Sequence, residues 1–188
     1  MGKRGMEMTT GGDVVSFLKA QHAQVTALFR AVRPAIDEER SSAFHALRRM
    51  LAVHETAEEE IVHPAARRSL ENGEFIVAQR LFEERTAKEM LAELEELDLE
   101  SDAFARAFDS LESAVLAHEA AEEATEFSQL ADELDATRLE RMQRAVAFAE
   151  SVAPTRPQAA VESRAANLFV GPFASMVDRA RDALQGAK

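Results

Sequence analysis

The sequence predicts an all-α protein, an up-down-up-down four-helix bundle with additional C-terminal helices. Three observations support this fold class. Long stretches carry apolar residues three and four positions apart, the connections between these stretches are short, and alternating strand patterns are nearly absent. With 188 residues, the chain is long enough for one domain with a hydrophobic core.

Local signals set the limits of each predicted helix. Asp13 is a suitable N-cap for the first helix, which should end before Pro34. The pair Asn72-Gly73 should end the second helix, and Pro64 should bend that helix because proline removes one helical hydrogen bond. The predicted ranges are about 13–32, 41–72, 74–97, 102–126 and 135–152.

The segments outside the helical bundle have different predicted roles. We expect residues 1–12 to be a flexible tail, residues 13–152 to be the bundle, and residues 153–168 to be an extended linker. Residues 169–188 contain an amphipathic helix with one apolar side. This helix should dock on the bundle or form a dimer contact, so we expect a monomer or a homodimer.

Composition excludes several classes of protein. Without cysteine, any metal must be held by histidine and carboxylate side chains, which suit iron, manganese or zinc. The net charge of −12 makes a nucleic-acid partner unlikely because phosphate contacts need clustered positive charge. We found no apolar run of roughly 18 residues and no signal peptide, so we expect a cytoplasmic protein with no membrane partner.

An internal repeat contains the chemically informative residues. The segment HETAEE at His54 returns as HEAAEE at His118, and each copy lies within a long helical pattern. His54 and Glu58, like His118 and Glu122, are four residues apart on the face that carries the apolar stripe. Buried imidazoles and carboxylates are costly unless they are paired or bind a metal. The repeat therefore predicts a metal site.

Two further ligands follow from the same stripes. His22 lies in the apolar face of the first helix, 32 positions before His54. An equivalent residue should therefore lie about 32 positions before His118, where Glu84 faces inward and Glu83 is a weaker candidate. The predicted ligands, which suffice for two metal ions bridged by carboxylates, are His22, His54, Glu58, Glu84, His118 and Glu122.

This ligand set resembles that of the hemerythrin-like, or HHE cation-binding, family. The residues that carry the resemblance are His22 and the two His-x3-Glu pairs that begin at His54 and His118. The run from Glu58 to Pro64 is also similar to a family segment, and the register of residues 87–94 places Glu84 where the family has histidine. The resemblance covers residues 13–152.

The resemblance implies a dinuclear iron site, oxo- or hydroxo-bridged, although manganese or zinc would also suit the ligands. His22, His54 and His118 would be terminal ligands, Glu58 and Glu122 would bridge, and Glu84 would set the redox character. A third carboxylate favours higher oxidation states, which argues against reversible oxygen transport. The expected partner is peroxide or a small diatomic ligand such as oxygen or nitric oxide, in sensing, detoxification or iron handling.

Alternative readings depend on a few other residues. Lys88 lies four residues after Glu84, so the two could form an ion pair in a degraded or mononuclear site of a non-enzymatic regulatory or interaction protein. A ferritin-type site needs Glu-x-x-His on two helices, and only Glu60-x-x-His63 fits. A zinc protease needs His-Glu-x-x-His, which neither copy of the repeat has.

Residues around the predicted ligands have supporting roles in this interpretation. We expect His63 to support the site or face solvent, and Glu55 and Glu119 to be mostly solvated, with some capacity to orient the imidazoles. The aromatic side chains expected to keep the site dry are Phe29, Phe82 and Phe108.

Overall fold

The computed structural model describes residues 12–151, and the predicted features in residues 1–11 and 152–188 lie outside this range. Seven α-helices lie in the described range: α1 (Val14–Val32), α2 (Asp37–Ala57), α3 (His63–Ser69), α4 (Gly73–Glu95), α5 (Asp102–Ala121), α6 (Phe127–Glu133) and α7 (Ala136–Ser151). Two π-helical turns join neighbouring helices without a loop. They are π1 (Glu58–Val62), between α2 and α3, and π2 (Glu122–Glu126), between α5 and α6.

These elements form a closed four-helix bundle with a fifth helix on its outside. The continuous helices α2–π1–α3 and α5–π2–α6 each act as one long helix of the bundle, beside α1 and α4. α1 packs along α2 and reaches α5 and α6, while α4 packs against α3 and α5. α7 packs against α1, α2 and π1. The predicted all-helical fold is therefore confirmed.

Side-chain caps set two of the helix starts, and the first of them, at Asp13, was predicted from the sequence. The Asp13 carboxylate accepts a hydrogen bond from the Ser16 backbone N–H at 2.9 Å, which makes Asp13 the N-cap of α1. The Ser101 hydroxyl accepts from the Phe104 N–H at 3.1 Å and begins α5 in the same way. Both caps satisfy N–H groups that have no partner within their helices.

The start of α2 differs from the prediction. The helix begins at Asp37, four residues before the predicted start at about residue 41. Its first turn is acidic, which favours the positive end of the helix dipole. Arg40 donates to the Ala35 carbonyl at 2.6 Å and to the Leu99 carbonyl at 2.9 Å. These contacts to the adjoining loop and to the α4–α5 connection hold the start of α2.

The apolar core consists of two clusters on either side of a buried polar layer. On α1, Leu18 belongs to one cluster and Val25 belongs to the other, with His22 between them. On α4, Val77 and Ala87 belong to different clusters in the same way, so the apolar stripes are interrupted at one level of the bundle. We call the two groups the Leu18 cluster and the Val25 cluster.

None of the helices between residues 12 and 151 is long and apolar enough to cross a lipid bilayer.

Candidate metal centre

The six predicted ligands all lie in the polar layer, and each residue is at most 7% exposed. His22, His54, Glu58 and Glu122 each offer a ligand atom within 4.8 Å of the others. Glu122 also belongs to a second such group, with Glu84 and His63. His118 lies outside both groups but places Nε2 3.4 Å from Glu122 Oε1. The sequence therefore identified residues that come together from four helices of the bundle.

The three predicted histidines surround the carboxylates of Glu58 and Glu122. His54 Nε2 lies 3.3 Å from Glu58 Oε2. His22 Nε2 lies 3.5 Å from Glu122 Oε2 and 4.0 Å from Glu58 Oε1. The inner nitrogens therefore face these carboxylates without a well-formed hydrogen bond, leaving a shared space between N and O atoms.

Each of these imidazoles is held from its outer side. The contacts of the outer nitrogens are His22 Nδ1 with Glu123 Oε1 at 2.9 Å, His54 Nδ1 with Gln21 Oε1 at 2.8 Å, and His118 Nδ1 with Glu83 Oε2 at 3.1 Å. Oxygen acceptors on Nδ1 require that this nitrogen carries the proton. In a neutral imidazole the lone pair of Nε2 then points into the site, an arrangement typical of histidine ligands to metals.

Seven buried atoms of five predicted ligands have no hydrogen-bond partner in the described part of the chain, in addition to Glu84 Oε2, which lies 3.6 Å from Lys88 Nζ. They are the Nε2 atoms of His22, His54 and His118 and both carboxylate oxygens of Glu58 and Glu122. Leaving one such atom unsatisfied costs about 1–3 kcal/mol, and most buried polar atoms in proteins are paired. Seven converging lone-pair donors fit a cation that would satisfy them together.

The electrostatics of the metal-free layer agree with this reading. Burial, followed by repulsion from Glu122 and Glu84, raises the pKa of the Glu58 carboxyl well above its ordinary value. Burial, followed by repulsion from His22, lowers the pKa of His54 to about 3, so its imidazole is neutral near neutral pH. A bound cation would offset the repulsion between carboxylates and would bind neutral imidazole directly.

His63 takes part in the polar layer more closely than expected. It is 1% exposed, and its Nε2 lies 2.7 Å from Glu84 Oε1 while its Nδ1 lies 3.0 Å from Glu126 Oε1. Burial lowers the pKa of His63, but the hydrogen bonds to Glu126 and Glu84 outweigh it and raise the pKa to about 10. The expectation that His63 faces solvent is therefore wrong. Glu126, which also belongs to the buried layer, was not predicted from the sequence.

The first π turn explains why His63 was misplaced. An α-helix turns about 100° per residue, so nine residues of regular helix would put His63 half a turn away from His54. π1 contains an extra residue within its turn and rotates α3 back by about 100°. Glu126, which is 0% exposed, lies four residues after Glu122, a spacing that shares one face of a regular helix and could have identified it. The proline at position 64 was a signal of irregular helix, although π1 begins six residues earlier.

The Lys88 ammonium group, which also belongs to α4, lies near the Glu84 oxygen that His63 does not contact. Lys88 Nζ lies 3.6 Å from Glu84 Oε2 and 3.3 Å from Glu55 Oε2, and it also pairs with Glu59. The predicted Glu84–Lys88 contact is therefore present. It lies at the edge of the layer, where the Lys88 side chain is 28% exposed.

Two acidic residues beside the repeated histidines are buried, so the expectation that they are mostly solvated is wrong. Glu55 is 7% exposed and Glu119 is 5% exposed. Burial is the main cause that raises the pKa of Glu55 to about 8 and the pKa of Glu119 to about 7. Both carboxyls can therefore hold a proton close to neutral pH.

The aromatic shielding differs in part from the prediction. Phe29 and Phe108 are buried in the Val25 cluster, but Phe82 is 63% exposed on α4 and does not cover the site. Phe127 covers it instead. Its ring stacks on the His22 imidazole with centroids 5.5 Å apart, and it is fully buried.

Comparison with known proteins agrees with this geometry. The family model of the hemerythrin HHE cation binding domain matches residues 13–130. The structure is similar to the crystal structure of a hemerythrin HHE cation binding domain-containing protein from Mycobacterium kansasii. The TM-score is 0.66 and the identity is 20%, over 75% of this chain and 86% of that one. At this identity the similarity supports the fold alone. No curated protein matches the chain.

The family match spans more than half of the chain and includes the helices that supply the buried histidines and glutamates. The chain therefore belongs to the hemerythrin HHE cation-binding domain family, and its buried His/Glu cluster is where a cation would bind.

Proposed function

We propose that the protein binds two iron ions in this layer and uses them to react with peroxide, oxygen or nitric oxide. The observation that supports this proposal most directly is the group of seven unsatisfied N and O atoms in the layer. Imidazole and carboxylate donors suit iron, and manganese or zinc less specifically. The proposed ligands are His22, His54, Glu58, Glu84, His118 and Glu122.

The two groups of ligand atoms suggest that each group would hold one of the two ions. His22, His54, Glu58 and Glu122 would hold one ion, and Glu84 with Glu122 would hold the other. Glu58 and Glu122 have both oxygens unsatisfied, which suits bridging. His63 would contact the second ion only if its hydrogen bond to Glu84 opened.

Bound iron would supply redox chemistry between its ferrous and ferric states. Three carboxylates close to the ions favour the ferric state, so the site suits oxidation reactions better than reversible oxygen transport. The residues of the chain would hold the ions, exclude water and supply protons. Glu119 is placed for the last task, because its carboxyl titrates near pH 7 and lies close to His22 and Glu122.

Iron stoichiometry of the wild type and Glu84→Ala tests the dinuclear site. We expect about two iron ions per chain in the wild type and about one in the variant, because helices α1, α2 and α5 with their π turns still supply one set of ligands. Glu89→Ala is the matched control, since Glu89 is an exposed residue of the same helix. Full iron in Glu84→Ala would show that Glu84 is not a ligand, and Glu83 would then be tested next.

Glu84→His tests the redox role of the third carboxylate. The substitution restores the histidine that the resemblance implies and removes one negative charge from the site. We expect a higher reduction potential and slower oxidation of the ferrous protein in air, followed by its absorbance. An unchanged reduction potential would show that Glu84 does not set the redox character of the site.

A mononuclear or degraded site is the second candidate, and the contacts of Glu84 favour it. Protonated His63 lies 2.7 Å from one oxygen of Glu84, and Lys88 lies 3.6 Å from the other, so Glu84 is already neutralised without a metal. One iron ion or none in the wild type would support this candidate. Lys88→Met should then raise the iron content if Lys88 takes the place of the second ion.

A further inference from the structure

A cavity of about 570 Å³ lies outside the polar layer, between the π1–α3 segment and the start of α7. Three arginines line it: Arg68 comes from α3, and Arg138 and Arg141 come from α7. All three side chains belong to exposed residues. The cavity shares no lining residue with the proposed ligands.

Within residues 12–151, these arginines differ from their neighbours in having no carboxylate partner. Arg67 pairs with Glu74 at 3.6 Å, and Arg144 pairs with Glu140 at 3.9 Å. Among residues 12–151, no carboxylate oxygen lies within 4.0 Å of the guanidinium nitrogens of the three cavity arginines. In a chain with a net charge of −12, three such guanidinium groups around one cavity are unexpected. Guanidinium binds phosphate and carboxylate oxygens through paired hydrogen bonds.

The remaining walls of the cavity indicate that its ligand is larger than an inorganic anion. Ile61, Pro64, Ala65 and Met142 form an apolar wall, while Glu60, Asp135 and Thr137 add polar groups. Ligand pockets for small molecules commonly measure about 300–1,000 Å³ and combine apolar walls with a few polar groups. A phosphate ion would contact the arginines but would leave the apolar wall unused.

We propose that this cavity binds a small organic phosphate. Its phosphate lies against Arg68, Arg138 and Arg141, and its organic part lies against the apolar wall. The ligand class is therefore a phosphorylated small molecule whose organic part can pack against apolar side chains.

Isothermal titration calorimetry on the full chain with adenosine monophosphate, inorganic phosphate and adenosine tests the proposal. We expect one monophosphate per chain, with inorganic phosphate and adenosine each at least about tenfold weaker. We expect monophosphate binding to weaken by about tenfold or more in the double variant Arg138→Ala/Arg141→Ala and likewise in the single variant Arg68→Ala. The matched controls Arg144→Ala and Arg67→Ala should bind as the wild type does, and circular dichroism should show unchanged helix content in all variants.

Three results would overturn the proposal. The first is the absence of binding at millimolar adenosine monophosphate, and the second is equal affinity for inorganic phosphate. The third is an equal loss of binding in the Arg144→Ala and Arg67→Ala controls, which would show that general charge attraction causes the binding. The outcome does not depend on iron, because the cavity and the polar layer share no residue.

Discussion

At the scale of single residues, the candidate centre depends on how each imidazole is oriented. The outer nitrogen of His54 is held by Gln21, and the outer nitrogen of His22 is held by Glu123. A buried imidazole without such a partner could rotate or change tautomer, and its inner nitrogen would no longer face the carboxylates. The outer partners therefore prepare the ligand atoms before a metal arrives.

Gln21→Ala tests this preparation. The substitution removes the acceptor at 2.8 Å from His54 Nδ1 but keeps the imidazole itself. We expect iron affinity to fall by about 10–100-fold, the usual effect of losing such a partner. Competition with a chelator measures the affinity. His45→Ala is the control, since His45 lies on α2 and is not among the ligand groups. Wild-type affinity in Gln21→Ala would show that packing alone orients His54.

The buried titratable residues also predict how stability depends on pH in the metal-free protein. The pKa of Glu55 is about 8 in the folded protein against an ordinary 4.5, so its contribution is full below pH 4.5 and lost as pH rises through 8. The pKa of His63 is about 10 against 6.5, so its contribution is full below pH 6.5 and lost as pH rises through 10. Both effects destabilise the protein as pH rises from 6.5 to 8, and the His63 effect continues towards pH 10.

We therefore expect the melting temperature of metal-free protein to fall steadily from pH 6.5 to pH 9. Thermal unfolding followed by circular dichroism measures it. Glu55→Gln removes one titrating group and should flatten the decline between pH 6.5 and 8, whereas Glu89→Gln, on the exposed face of α4, should leave it unchanged. A melting temperature that rises over this range would contradict the assigned protonation of His63 and Glu55.

At the scale of the helices, two close features define the site. The π turns begin at Glu58 and Glu122, the glutamates of the two repeats, so the local widening of the helix occurs where ligands are needed. The second feature is the close approach of α3 to α4 at Gly73. A Cβ at this glycine would lie 2.3 Å from the Ala66 carbonyl oxygen. The α3–α4 pair supplies His63 and Glu84, so this packing helps to place both.

Gly73→Ala tests the close approach. A methyl group cannot fit against a backbone carbonyl at this distance, so α4 must shift away from α3. We expect a loss of about 1–3 kcal/mol in the free energy of unfolding, the usual cost of overpacking. Urea denaturation measures the loss. Gly12→Ala is the matched control, because nothing lies within 4 Å of the added Cβ. Equal unfolding midpoints for the two variants would show that α4 has room at this position.

At the scale of the whole molecule, the proposed metal would join all four helices of the bundle. Ligands come from α1, from α2 and π1, from α4, and from α5 and π2. Between the Leu18 and Val25 clusters, the bundle contains buried carboxylates that repel one another. A metal that binds only the folded protein should therefore add stability and remove that repulsion.

Chelation should accordingly lower the melting temperature of metal-loaded protein. Free metal at 100 times its dissociation constant would stabilise the folded state by about 2.7 kcal/mol, and the chelator removes this contribution. Differential scanning calorimetry with and without chelator measures the shift. A His54→Ala/His118→Ala variant should show little response to the chelator. An unchanged melting temperature in loaded wild type would show that the metal is not coupled to the fold.

The sequence alone was sufficient for the bundle and for most of the candidate site. Apolar spacing predicted the helices, and the repeated His-x3-Glu pairs identified four residues that share the polar layer. His22 and Glu84 followed because each interrupts an apolar stripe at a similar distance before the histidine of one pair, 32 positions for His22 and 34 for Glu84. These inferences succeed because the period of an α-helix is local, and a local period is readable along the chain.

Only the tertiary structure shows the features that do not follow from the constant period of an α-helix. The turn π1 rotates His63 into the layer, although a regular helix would place this residue outside. The outer partners come from distant parts of the chain, as in the His22–Glu123 contact between residues 101 positions apart. Phe82 was expected to keep the site dry, but it is 63% exposed on α4. Such features depend on which helices meet and on their rotation, which arise only when the bundle closes.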